Sequence, residues 1–241
     1  MTTNCTVFCM ELDPSLIPPQ TPFVSHPDIP KLGQQRIGSA LSALHQQALT
    51  YSSGVALRMV AMEEAQKIIA QCMLPEESTG RPRTSGMKES ALWRSWAMAG
   101  CRSAVMSAHD CVKVFEQLRA ILNSIDQARM LVDLKRFKDI LRRLENLFPQ
   151  SRLARDSAGH PELFLKEDFS VKSGLDSPDL KIKEGVNFSL QDVMVGNEYT
   201  STFNGQIVKA PITFEAAAEL VKIVGDIFDV VKPLDHAAFA S

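Results

Sequence analysis

The chain has 241 residues, 45% of them hydrophobic and 22% charged, with a formal net charge of −2. This is material for one large soluble domain, and it gives no global attraction to nucleic acid or acidic membranes, so any basic site must be local. No run approaches the length of a membrane span, and Met1 to Glu11 lacks the basic start and apolar core of a signal peptide.

Cys5, Cys9, Cys72, Cys101 and Cys111 are an odd number, which argues against a disulfide framework and for a reducing, cytoplasmic setting. Residues 1–31 carry six prolines and read as an extended arm rather than a domain. From about Leu32 to Leu74 apolar residues recur at three and four (Leu41, Leu44, Ala48, Val55, Met59, Met62, Ala65, Ile69, Met73), predicting a first helix that Tyr51-Ser52-Ser53-Gly54 kinks or divides. Pro75 to Gly86 reads as a solvated connection. A second helix is predicted over about Glu89–Asn123, with an apolar stripe of Leu92, Trp96, Ala99, Val105, Val112, Phe115, Leu118, Ile121 and Leu122.

A third helix is expected over roughly Asp126–Phe148, capped by Asp126 and stopped by Pro149, and a short fourth over Ser151–Gly159. Residues 165–197 read as an irregular excursion. Residues 198–212 carry a hairpin signal: Asn204-Gly205 supplies the positive φ of a type I′ turn, and pairing Phe203 with Gln206 puts Tyr199, Phe203, Val208 and Ala210 on one face. Thr213 then caps a last apolar helix to about Lys232, followed by a short tail, 233–241. The fold class expected is mostly α: an antiparallel bundle of four or five helices over 32–232, with a β-hairpin inserted before the last helix.

The motif that carries chemistry is Arg155-Asp156-Ser157-Ala158-Gly159-His160. Arginine stays charged and can fork two donors onto a phosphate, while histidine exchanges a proton near neutral pH. Those are the two services needed when a ribose 2′-hydroxyl attacks its own phosphodiester. Five positions apart, the two side chains lie about 140° apart on an ideal helix, so one motif does not focus both on one point unless the helix is irregular near Gly159. Eight basic residues stand against three acidic ones between Arg129 and Arg155, and Arg142, Arg143 and Arg152 are the candidate contacts for a nucleic-acid backbone. The bland reading of the same charges is a solvated helix face.

With its place after Phe148-Pro149, the following Pro161-Glu162-Leu163-Phe164, Trp93 and the run Ala99 to Met106, this motif resembles the signature of the HEPN superfamily (higher eukaryotes and prokaryotes nucleotide-binding) over about residues 35–232. The resemblance implies a homodimer whose motif helices face each other, and a metal-independent endoribonuclease leaving 2′,3′-cyclic phosphate ends. In that arrangement His160 is general base or acid, Arg155 holds the phosphate and Asp156 orients the pair. It further implies RNA as substrate, an antitoxin or other protein as partner, and a toxin–antitoxin or phage-defence setting. Pro161 departs from a helix running smoothly through the histidine. The same resemblance also covers a non-catalytic scaffold that binds RNA, a nucleotide or a protein, with Arg155 and His160 serving structure.

Other candidates point elsewhere. Cys5 and Cys9 have ligand spacing but only His26 nearby, so no metal is expected. His109-Asp110-Cys111 lies within a helix, where neighbours diverge, and His109 reads as an interhelical hydrogen-bonding group. Trp93 and Trp96 read as core or interface packing rather than a stacking platform. There is no phosphate-cradling glycine loop, no Gly-x-Ser-x-Gly elbow and no Glu-x-x-His pair, so no cofactor is expected.

Overall fold

The computed structural model describes residues 13–73, 86–159, 171, 174–176, 180–186 and 188–235. The start of the arm with Cys5 and Cys9, the connection 74–85, the segment 160–170 that holds His160 and Pro161, and the end of the tail lie outside the described residues.

Two long helices set the architecture. α1 (Lys31–Met73) and α2 (Met87–Ser124) run 43 and 38 residues, about 65 and 57 Å at the helical rise. A Cβ placed at Gly33 would meet Ile125, one at Gly54 would meet Gly100, and one at Gly86 would meet Cys72, so numbering rises on one helix as it falls on the other. The pair is therefore antiparallel. At its centre the backbones touch: a Cβ on Gly54 would lie 2.6 Å from the Gly100 carbonyl oxygen, and one on Gly100 would lie 2.6 Å from that of Gly54. The Tyr51–Gly54 patch thus neither kinks nor divides α1 but forms its closest approach to α2, with Tyr51, Ser52 and Gly54 buried.

The expected third helix is two. α3 (Asp126–Leu131) ends at an extended Val132, and α4 (Leu134–Leu147) restarts under a new cap, Asp133, whose carboxylate accepts the N–H groups of Lys135 and Arg136. Asp126 opens α3 from its first turn rather than capping it; the capping position is Ile125. A side-chain acceptor three residues before Arg136 satisfies donors that a continuous helix would have paired internally, which is the physical reason for the break. α5 (Ser151–Gly159) and α6 (Phe214–Val231) fall where periodicity put them, and Thr213 Oγ1 accepts the Ala216 N–H as cap.

The excursion contains paired strands: β1 (Leu175–Asp176) with β2 (Lys181–Ile182), and β3 (Val193–Val195), which joins the hairpin β4 (Glu198–Phe203) and β5 (Gln206–Pro211) as a three-stranded antiparallel sheet in the order β3-β4-β5. Asn204 and Gly205 have φ of 49° and 71°, Phe203 pairs with Gln206, and Tyr199, Phe203, Val208 and Ala210 are all buried, as the turn signal predicts. The sheet is tied to α1 from two positions. Tyr51 donates to the Pro211 carbonyl at 2.6 Å, and the buried Arg58 donates to the carbonyls of Gly196 and Ile212 at 3.2 and 3.4 Å.

α6 packs on α1 and α4, whereas α5 packs on α2. The described part of the arm lies against the bundle, with Leu16 and Ile29 buried and the Ser25 and His26 N–H groups donating to the Leu234 carbonyl. The far end of the long hairpin is different. Residues 66–73 of α1 and 87–99 of α2 bury only Cys72, Ser90 and Ala97. Leu92 and Trp96, expected in the core, are exposed there, because the shorter helices do not reach this far. No helix among the described residues is long and apolar enough to cross a membrane.

Gly100→Ala isolates the central contact. Helix propensity alone favours alanine by about 1 kcal/mol. Collision with the Gly54 carbonyl reverses that sign and costs about 1–3 kcal/mol. Thermal unfolding is expected to show a lower Tm, by about 2–4 °C per kcal/mol; a raised Tm would remove the contact as the organising feature.

Candidate functional site

α5 is short, and small side chains make up its inner face. Ala154, Ser157 and Ala158 are buried, and a Cβ on Gly159 would sit 3.8 Å from Met106 Sδ on α2. The outer face carries Arg152, Arg155 and Asp156. Arg155 Nη1 donates to Asp156 Oδ1 at 3.0 Å, and Arg152 Nε lies 4.0 Å from Asp156 Oδ2. The Arg155 side chain is 37% exposed and that of Asp156 27%. Three of the predicted site residues are thus together, while His160, the fourth member of the motif cluster, lies outside the described residues.

Arg142 and Arg143 are on α4, which is anchored elsewhere. Arg143 donates to Asp226 at 2.6 Å and to Glu219 at 2.7 Å, both on α6, and these two carboxylates hold its guanidinium still more firmly protonated than usual. Its fork is committed to joining α4 to α6. Arg142 pairs with Asp139 on the solvent side, and Arg129 with Asp126. The basic excess counted along 129–155 is therefore largely answered by carboxylates outside that stretch: Asp126, Asp156, Glu219 and Asp226 turn eight against three into eight against seven.

A polar chain leads from the inner face of α5 across the sheet to α2. Ser157 Oγ and Tyr199 OH share a hydrogen bond of 3.2 Å, and Tyr199 OH donates to Asp192 Oδ1 at 2.5 Å. Asp192 Oδ2 accepts from Arg102 Nε at 2.9 Å and from Arg102 Nη2. Burial, then the Asp192 carboxylate, pushes the Tyr199 hydroxyl well above its ordinary range, so it stays a donor. Asp192 sits at φ 50°, a left-handed conformation that aspartate tolerates better than most residues. Nothing local in the sequence marks Asp192; Tyr199 was legible only as an inward-facing strand residue.

His109 on α2 is the other group that spacing did not connect to the motif. It is 5% exposed, and its Nδ1 has no hydrogen-bond partner among the described residues. The interhelical hydrogen bond expected of it is not made through that atom. Burial, then Lys113, lowers its pKa; Arg155 acts the same way, while Asp110 and Asp156 oppose. The imidazole therefore stays neutral to a lower pH than a free histidine.

No protein family, curated protein or solved structure matches this chain. What the site does must be argued from its own groups. Arg155 uses one nitrogen on Asp156, which leaves the rest of its fork free for an anion. Among the described residues no group of three or more His, Cys, Asp or Glu side chains is placed to hold a metal ion.

The His109 shift fixes the sign of a pH effect. The unfolded chain takes up a proton near pH 6.5 and the folded chain does so only at lower pH, so stability is full above that value and falls as pH drops below it. Denaturant midpoints at pH 7.5 and 5.5 are expected to fall less for His109→Gln than for the native chain. Equal losses would show that the buried imidazole is not the group being titrated.

Proposed function

We propose that this protein is a HEPN-type endoribonuclease acting as a homodimer, with the motifs of two subunits forming one composite cleft. The observation that carries this reading is the placement of Arg155 and Asp156: side by side on the partly exposed face of α5, guanidinium oriented by carboxylate, with His160 following Arg155 after four residues in the chain. Arg155 holds the scissile phosphate and stabilises the charge that builds on it. His160 takes the proton from the 2′-hydroxyl or delivers one to the departing 5′-oxygen. The new P–O2′ bond replaces P–O5′, so the products carry a 2′,3′-cyclic phosphate and a 5′-hydroxyl. The side chains of this motif supply both services without a cofactor in the proton bookkeeping.

A second reading, a non-catalytic scaffold of the same fold that binds RNA or a protein, is supported by the tie of α5 to the sheet through Ser157 and Tyr199 and by the Arg155–Asp156 pair. The two differ in what the motif variants lose.

Incubation with total RNA in excess chelator separates them. The native chain is expected to leave 2′,3′-cyclic phosphate ends, and His160→Ala to reduce cleavage by about 10²-fold or more with an unchanged Tm. Undiminished cleavage by His160→Ala sinks the mechanism. Loss of Tm in Arg155→Ala and His160→Ala, with no cleavage by the native chain, supports the scaffold.

A further inference from the structure

α5 has 9 residues, fewer than the about 12–15 at which an isolated helix becomes even marginally stable in water, so its position is set by what it touches. Among the described residues, two side-chain hydrogen bonds tie it to the inserted sheet. Just before its first turn, Gln150 Oε1 accepts the Lys209 N–H of β5 at 2.8 Å. Near its end, Ser157 Oγ meets the Tyr199 hydroxyl of β4 at 3.2 Å. The two points lie about two helical turns apart. Together they fix both the level of α5 along the sheet and its rotation about its own axis. The buried Ala154 and Ala158 and the contact of Gly159 with Met106 are apolar and carry no direction, so the hydrogen bonds choose the rotation.

Proton counting gives the second bond its sense. Tyr199 OH has one hydrogen and gives it to Asp192 Oδ1 at 2.5 Å, so the Ser157 hydroxyl is the donor to Tyr199. Asp192 is held in turn by Arg102 of α2, and the sheet is anchored on α1 through Tyr51 and Arg58. Ser157 and Tyr199 are both buried, where each member of such a chain polarises the next. On the helix, Ser157 lies about 200° round from Arg155, on the opposite side. A turn of α5 that breaks the Ser157 bond therefore swings Arg155 and Asp156 on the exposed side.

We propose that the inserted sheet is the positioning platform of the motif, with Ser157 and Tyr199 as the positioning residues that aim Arg155 at the scissile phosphate. This rests on the ribonuclease reading of the motif and gives the hairpin a role in that site without placing it on the RNA. Neither side chain reaches the RNA, because both are enclosed. Their effect falls on kcat through orientation, where a misplacement of about 1 Å can cost about 10²-fold.

Ser157→Ala is the cleaner variant. Tyr199 OH keeps its bond to Asp192, no buried group is orphaned, and alanine is the better helix former, so Tm is expected to stay within about 4 °C of native. Initial rates of cyclic-phosphate end formation on total RNA in excess chelator are measured over a range of RNA concentrations, well below every Tm. The native chain is compared with Ser157→Ala, Tyr199→Phe and the double variant. Ser157→Ala is expected to lose about tenfold or more in kcat, with KM within about twofold of native. The double variant is expected to be no slower than Tyr199→Phe alone, because both changes act through one bond. A smaller loss of kcat in folded Ser157→Ala overturns the platform and leaves the ribonuclease reading standing. So does a raised KM with kcat unchanged, or losses that multiply in the double variant. No cleavage by the native chain removes both. Should Tyr199→Phe not fold, the kcat of Ser157→Ala decides.

Discussion

The contact between Gly54 and Gly100 is the constraint on which the rest of the molecule hangs. The two helix backbones come into direct contact where neither carries a Cβ, and here each glycine faces the carbonyl of the other. The same turn places the Arg58 backbone against Gly100, so the arginine that reaches out to the sheet is positioned by the helix contact itself. Ala104, Ala108 and Cys111 continue the narrow seam along α2. With that seam set, the surface of α2 from Met106 onward receives α5, and the surface before Gly100 is left to solvent. The division of α2 into a covered half and an open half follows from the mismatch between its length and the 14 and 18 residues of α4 and α6.

Electrostatics follow the same logic of pairing across elements. Arg143 meets Glu219 and Asp226, Arg102 meets Asp192, and Lys209 meets Glu198. Each pair joins segments distant in sequence or neighbouring strands, and each uses up a charge that a linear count leaves free. Among the charges not used up in this way are the outward part of Arg155 and, with no ion pair among the described residues, Arg94, Arg119, Lys135, Arg136 and Lys138. A protein with a formal charge of −2 can still offer a local anion-binding surface when its carboxylates are tied to other arginines.

Burial of polar groups tells a related story around the motif. Tyr199 and Asp192 are satisfied by each other and by Ser157 and Arg102, which gives α5 a fixed seat. His109 Nδ1, by contrast, has no hydrogen-bond partner among the described residues. Burial disfavours protonation of this imidazole, so it stays neutral to a lower pH than a free histidine does.

Local patterns determined the helices with strong apolar periodicity, the Asn204-Gly205 turn with its register, and the Thr213 cap, because each depends on residues within one or two turns of each other. The Arg155–Asp156 placement was legible for the same reason, as neighbours on one short helix. Other outcomes depended on partners far along the chain. The Tyr51–Gly54 patch looked like a break until Gly100 filled the space beside it, and the single helix expected over about 126–148 divides where the Asp133 carboxylate caps a new one. The stripe of Leu92 and Trp96 had core periodicity but no neighbour to cover it, and Asp192 had no signal at all until Tyr199 and Arg102 met on it. Sequence therefore determined which segments could form regular structure. Only tertiary packing decided which charges were cancelled, which apolar face stayed open, and which polar groups met around α5, because those depend on distances that no spacing along the chain encodes.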